Sequence, residues 1–265
     1  GGMARFSPDE VQHHINLKKG DVGRYVLLPG DPGRCELIAQ YFDNPRFVTQ
    51  KREYVTWTGT LLGEQVAVTS TGIGCPSTAI AVEELVAIGA DTFIRVGTSG
   101  AMQPQIKTGD VGIITGAIRD EGTTLHYLPI EFPAVANVDV VMALREGARR
   151  AGIPAHEGVS QSKDSFYGEV QPKRMPMSEH LESRWKAWVE GGAVCSEMEA
   201  AAIFILSSIY RKRASGVMLM AGDDMNPEHS TPEQVQAAHA LLDIHRPVRV
   251  AIEALKVLIE RDRAS

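Results

Sequence analysis

The chain has 265 residues, 43% of them hydrophobic and 23% charged, with a formal net charge of −6. That is enough apolar material for one sizeable core, so a single domain over 1–265 is expected. An acidic total speaks against a nucleic-acid binder, which shows a basic face, and no apolar run approaches the ~20 residues of a bilayer span. Three scattered cysteines, Cys35, Cys75 and Cys195, make neither a disulfide framework nor a zinc ribbon; they read as reduced thiols of a cytoplasmic protein. Gly1-Gly2 ahead of Met3 reads as a cloning remnant rather than a signal peptide.

Along the chain, runs rich in β-branched residues alternate with amphipathic stretches. The runs predict strands at Tyr25 to Leu28, Tyr54 to Leu61, Gln65 to Ser70, Thr92 to Val96, Val111 to Ala117 and Arg213 to Ala221. Helices are predicted at Cys35 to Tyr41, Ser77 to Ile88, Val138 to Ala151, Ser178 to Gly191, Met198 to Ile209 and Pro232 to Glu260, the last broken at Pro247. This alternation favours an α/β fold: one domain of three layers, α/β/α, around a central mixed sheet. Tyr167 to Ser178 and Gly222 to Thr231 read as long loops of the kind that cover substrates.

Three glycine-rich segments follow apolar runs: Gly30-Asp31-Pro32-Gly33-Arg34, Ser70-Thr71-Gly72-Ile73-Gly74, and Arg95-Val96-Gly97-Thr98-Ser99-Gly100-Ala101. The second leads into a helix pattern, and bare N–H groups ahead of a helix suit an anion. Two of the three carry an arginine, whose planar fork matches phosphate. Arg95 lies in a buried-strand pattern, where an unpaired charge is costly. Arg52, taken singly, reads as an ordinary surface arginine. Glu197-Met198-Glu199 opens a helix. A carboxylate there either complements the helix dipole or accepts hydrogen bonds from vicinal sugar hydroxyls. Phe166, Gln171 and Arg174 offer a stacking ring and base-edge partners, or an ordinary surface loop. His13-His14 lacks a third metal ligand, His126 reads as a loop or core histidine, and no nucleophile elbow is present.

Together these segments resemble the nucleoside phosphorylase-I family, on its uridine-cleaving side. Leu28 to Pro32 with Arg34, Ser70 to Leu85, Phe93 to Ala101, Leu125-His126-Tyr127 through Val135, Asp164 to Tyr167 and Glu197 to Glu199 carry the resemblance. It implies reversible phosphorolysis of uridine to uracil and ribose 1-phosphate, with phosphate as co-substrate and no cofactor. It implies Gly30, Arg34, Arg95 and Thr98 as phosphate ligands, with Arg52 arriving from a neighbouring subunit. Met198 and Glu199 become ribose contacts, and His14 reaches the 5′-hydroxyl across a dimer interface. Phe166, Gln171 and Arg174, with Thr98, Ser99 and Gly100, become the base pocket; Arg95, Glu199, Arg174 and Gln171 carry the catalysis. In some members a monovalent cation (K+) sits at a dimer interface on the residues that Glu53, Ile73 and Ser77 match. The implied assembly is a hexamer, a trimer of dimers.

Two departures stand out. The loop after Phe166-Tyr167 carries an insertion, leaving Glu169 or Gln171 for the expected glutamine. Ala221-Gly222-Asp223-Asp224 replaces an apolar-apolar-Asn-Arg run, and Asp223 falls where purine-cleaving members hold a catalytic aspartate. Purine phosphorolysis with Asp223 as general acid is therefore the alternative. A nucleoside-binding protein without catalysis and a hydrolase using water are more distant ones.

Overall fold

A computed structural model describes residue 7 and residues 9–265; the Gly1-Gly2 pair lies outside the described residues. In chain order the elements are β1 Tyr25–Leu28, α1 Cys35–Ala39, β2 Asp43–Lys51, β3 Tyr54–Leu61, β4 Glu64–Thr69, α2 Cys75–Ala87, β5 Thr92–Ala101 and β6 Val111–Asp120. There follow β7 Ala134–Val135, α3 Val138–Ala151, β8 Ala155–Lys163, α4 Phe166–Val170, α5 Ser178–Glu190, β9 Cys195–Glu197, α6 Ala200–Tyr210, β10 Arg213–Ala221, α7 Pro232–His239 and α8 His245–Ala264.

The strands form one mixed sheet, ordered β10-β6-β8-β9-β5-β1-β4-β3-β2, with β7 on β6 and an added β10–β5 pairing. Core strands are buried on both faces, so their runs are apolar without alternation. In β1, Val26 and Leu28 join one apolar cluster with α2 and α6, through Val82, Leu85 and Phe204. Tyr25 and Leu27 join the other, with α3 and α8, through Leu144, Leu255 and Leu258. These two clusters are the outer interfaces of the expected three-layer α/β/α arrangement around a mixed sheet.

Along one edge, β5 pairs with β1 over Thr92 to Arg95 and with β9 only at Gly100 and Ala101. Its other edge is held by β10 throughout. The sheet thus splits beside Val96 to Ser99, and such a split is where open α/β sheets bind ligands.

Several boundaries differ from the sequence pattern. The segment after Arg95 is not a turn; β5 runs on to Ala101. The helix predicted from Pro232 breaks over 240–244, not at Pro247, which sits in the first turn of α8 where its missing N–H costs nothing. The loop after Phe166 contains α4 and a 3₁₀ turn at Pro172–Arg174.

At Gly147 the backbones of α3 and α8 come close. A Cβ there would lie 2.6 Å from the Val250 carbonyl oxygen and 2.9 Å from the Ala254 nitrogen, both backbone. Gly147→Ala should therefore push α3 off α8 and lower stability by ~1–3 kcal/mol in urea unfolding. A neutral or stabilising result would contradict this packing.

Candidate active site

The ends of β1 and β4 meet through their glycine segments. The Thr71 N–H donates to the Pro29 carbonyl at 2.9 Å and the Gly72 N–H to the Gly30 carbonyl at 3.0 Å. Gly72 has φ +71°, and a Cβ would lie 2.6 Å from Glu53 Cγ and 2.7 Å from Ser77 Oγ, so only glycine fits. Gly74, also at positive φ, precedes α2 and donates its N–H to Glu199 Oε2 at 2.9 Å. A Cβ on Gly30 would come within 3.5 Å of Glu199 Oε1. Both glycine segments therefore close on one glutamate.

Arg95 lies at the centre and is 4% exposed. Its Nε donates to Glu197 Oε2 at 2.8 Å, and its Nη2 is ion-paired with Glu199 Oε1 at 2.8 Å. Glu197 also accepts from Ser160 Oγ at 3.1 Å, from Ser162 Oγ, and from the N–H groups of Glu199 and Ala200 at 2.7 and 2.8 Å. The last two are unsatisfied donors at the start of α6. Burial works against the Glu197 carboxylate, but Arg95, Ser162 and these N–H groups outweigh it, holding the pKa below the usual carboxylate range. Glu199 goes the other way: burial, helped by Glu197, outweighs Arg95 and raises its pKa.

Thr98 is exposed between buried Gly97 and Ser99. The Ser99 Oγ is buried without a hydrogen-bond partner among the described residues, and a Cβ on Gly100 would meet nothing within 4 Å. An unfilled space therefore opens at the end of β5. Met198, half-buried, anchors its carbonyl to Cys75 Sγ at 3.3 Å.

The other expected residues lie further out. Arg34, half-buried, and Arg52, exposed at the β2–β3 turn with φ +52°, have no ion-pair partner among the described residues. His14 is tied to α2, with Nδ1 2.6 Å from Glu84 Oε2 and its N–H on Glu84 Oε1 at 2.8 Å. Ile73 is 79% exposed, beside Glu53 and Ser77 at the Gly72 turn. Phe166 is exposed and packs edge-on against Tyr167 at 5.2 Å. Arg174 lies over the Tyr167 ring at 5.4 Å and bonds Gln171 Oε1. Asp223 is exposed, its carboxylate 2.8 Å from His229 Nδ1, and it raises that imidazole's pKa. A solvent-facing carboxylate paired with a histidine is poorly placed as a proton donor.

Ser160 and Ser162 hold Glu197 but are not singled out in the sequence, and Glu197 is named there only within its motif, without a role of its own. The repeated Glu-x-Glu was a signal for Glu197. The two serines lie in a polar run that gave none.

Comparison with known proteins fits this geometry. A family model described as the phosphorylase superfamily matches residues 24–246. The chain belongs to the phosphorylase superfamily. It is 49% identical to the uridine phosphorylase of Treponema pallidum (strain Nichols), over 96% of each chain. It is 37% identical to that of Escherichia coli (strain K12), over 93% of this chain and 97% of the other. A guanosine phosphorylase of Halorubrum lacusprofundi is 34% identical over 93% of this chain and 99% of its own.

Removing Glu197 breaks a buried pair and strands four further donors. Glu197→Ala should cost ~3–5 kcal/mol. Because the folded pKa is depressed, its contribution is present above the unfolded carboxylate pKa and lost as pH falls through the folded value. The gap in urea midpoint between wild type and Glu197→Gln should be full at about pH 7 and narrow progressively as pH falls below about 4, and a gap independent of pH would refute the assignment.

Proposed function

We propose that the chain catalyses reversible phosphorolysis of uridine, giving uracil and ribose 1-phosphate in pyrimidine salvage. The observation that carries this reading is a buried arginine fixed between two glutamates at the split in the sheet, in a chain so similar to named uridine phosphorylases. Purine cleavage is not favoured, since Asp223 is engaged by His229.

Phosphate is a modest nucleophile, so it must be held in line below the anomeric carbon. In this reading Gly30, Arg34, Arg95 and Thr98 hold it, joined by Arg52 of a second copy. Glu199 accepts from the ribose 2′-hydroxyl, Met198 walls the sugar, and His14 of a second copy meets the 5′-hydroxyl. Phe166 stacks on the base, over Thr98, Ser99 and Gly100, while Gln171 and Arg174 exchange their mutual bond for the uracil edge. The transition state places positive charge on the sugar and negative charge on the base; the phosphate stabilises the first and the base-edge donors the second. The C1′–N1 electron pair leaves with uracil, a phosphate oxygen bonds C1′, and the proton carried by phosphate ends on the pyrimidine. This chemistry needs no cofactor. A dimer is the least assembly that completes the site, and a hexamer of three dimers in the cytoplasm is the form proposed, with a monovalent cation at Glu53, Ile73 and Ser77.

Product assays with uridine, thymidine and inosine, with and without phosphate, test the reading. Phosphate-dependent uracil release is expected; turnover of inosine alone, or without phosphate, would sink it. Arg34 is the cleanest single probe, because removing it strands no buried carboxylate. Arg34→Ala should raise the KM for phosphate roughly tenfold or more, as loss of a charge-assisted hydrogen bond, and leave the uridine KM near wild type. Equal changes in both would remove Arg34 from the phosphate site.

A further inference from the structure

One buried cation has no part in the reaction scheme just given. Lys163, at the end of β8, is 5% exposed. Its Nζ donates to Ser196 Oγ at 2.7 Å and to the Glu197 carbonyl at 3.4 Å, and no carboxylate pairs with it among the described residues. An ammonium buried on neutral partners is costly. Burial pushes its pKa below the ordinary lysine range, opposed by the charges of Glu169, Glu197 and Glu199.

Strand register shows where this charge sits. Gly100 pairs with Ser196, Ser196 with Gln161, and Glu197 with Ser162. Side chains alternate along each strand. Arg95, Glu197, Ser160 and Ser162 therefore share one face, as their mutual bonds require. Thr98, Gly100, Ser196, Gln161 and Lys163 share the other, as the Lys163–Ser196–Gln161 bonds require. On that second face Thr98 is exposed and the position over Gly100 is open. Phe166 lies three residues beyond Lys163, so the lysine belongs to the strand face that carries the open position and precedes the loop carrying the stacking ring.

We propose that Lys163 stabilises the negative charge that develops on the pyrimidine as it departs. The inference rests on the uridine reading. As C1′–N1 breaks, its electron pair goes to the base; a phosphate oxygen closes the new bond to C1′, and the phosphate proton reaches the base through solvent. Lys163 keeps its three protons throughout and acts as charge and hydrogen-bond donor. Ser196 Oγ, which holds the ammonium and donates to Gln161 Oε1, is the positioning group.

Leaving-group chemistry separates this role from a structural one. Lys163→Met should lower kcat for uridine about 100-fold, the loss expected for one transition-state donor. With 5-fluorouridine, whose base is the stronger acid and leaves more readily, the loss should be several-fold smaller. The phosphate KM should stay unchanged, and Lys163→Arg should restore most of the uridine rate. Lys163→Gln carries the same comparison if the Met variant precipitates. Equal losses on both nucleosides, or no loss, overturn the proposal while wild-type uridine turnover stands. A wild type that fails to cleave uridine with phosphate overturns the uridine reading, and the proposal with it.

Discussion

A guanidinium taken out of water has to be matched by carboxylate, and at the centre of this protein that match is made twice. Arg95 meets Glu197 through Nε and Glu199 through Nη2. Neither contact alone would fix the planar head; together they hold it in one orientation. Glu197 is in turn held by two serines of β8 and by the first N–H groups of α6. One cluster of charges therefore ties β5, β8, β9 and α6 together. Glu199 extends the tie to the glycine segments after β1 and β4. Loosening any member leaves a buried charge or donor unsatisfied, which is why the arrangement is rigid.

The sheet supplies an opening beside this cluster. Because β5 changes partner from β1 to β9, its Val96 to Ser99 edge is unpaired by strands, and Thr98 emerges into solvent between buried neighbours. Two backbone conformations are indispensable there. Gly72 turns the chain back over Glu53 and Ser77, and Gly74 directs its N–H at Glu199. Both need positive φ, so the glycine pattern in this segment is a backbone requirement before it is a ligand requirement.

The core of the fold was legible because it is doubly buried. β1, β4 and β10 carry apolar runs, α2 and α6 are dominated by apolar residues, and α3 has a one-sided apolar period. The elements that escaped are the polar ones. β2 is an exposed edge strand with Pro45 and two irregularities in register. β8 ends in Ser160, Gln161, Ser162 and Lys163, all buried and all polar, so hydrophobic pattern could not mark it. The extension of β5 through Gly97 to Gly100 failed for a related reason: glycines signal a turn locally, yet here they make room for the Arg95 head and Met218 and leave the space over Gly100 open. The arginines and Glu199 were legible as site candidates because charge in an apolar setting is conspicuous. The serines under Glu197 were not, because a hydroxyl gives no sign in sequence of what it bonds.

Charge adds a final constraint. Arg95, Glu197 and Glu199 together carry one net negative charge in their ionised forms, so this trio cannot by itself attract a phosphate dianion. Positive charge in excess must come from side chains whose heads are not already matched. Arg34 and Arg52 meet that description, with no ion pair among the described residues. In the proposed reading the site thus divides its work physically. Matched charges fix geometry, since compensation is what lets them be buried, and unmatched charges bind, since only an uncompensated field reaches an anion. Arg52 lies at the β2–β3 turn and His14 on the outer side of α2. In the reading proposed above, Arg52 and His14 serve the site of a second copy, which is why an obligate assembly is part of that proposal.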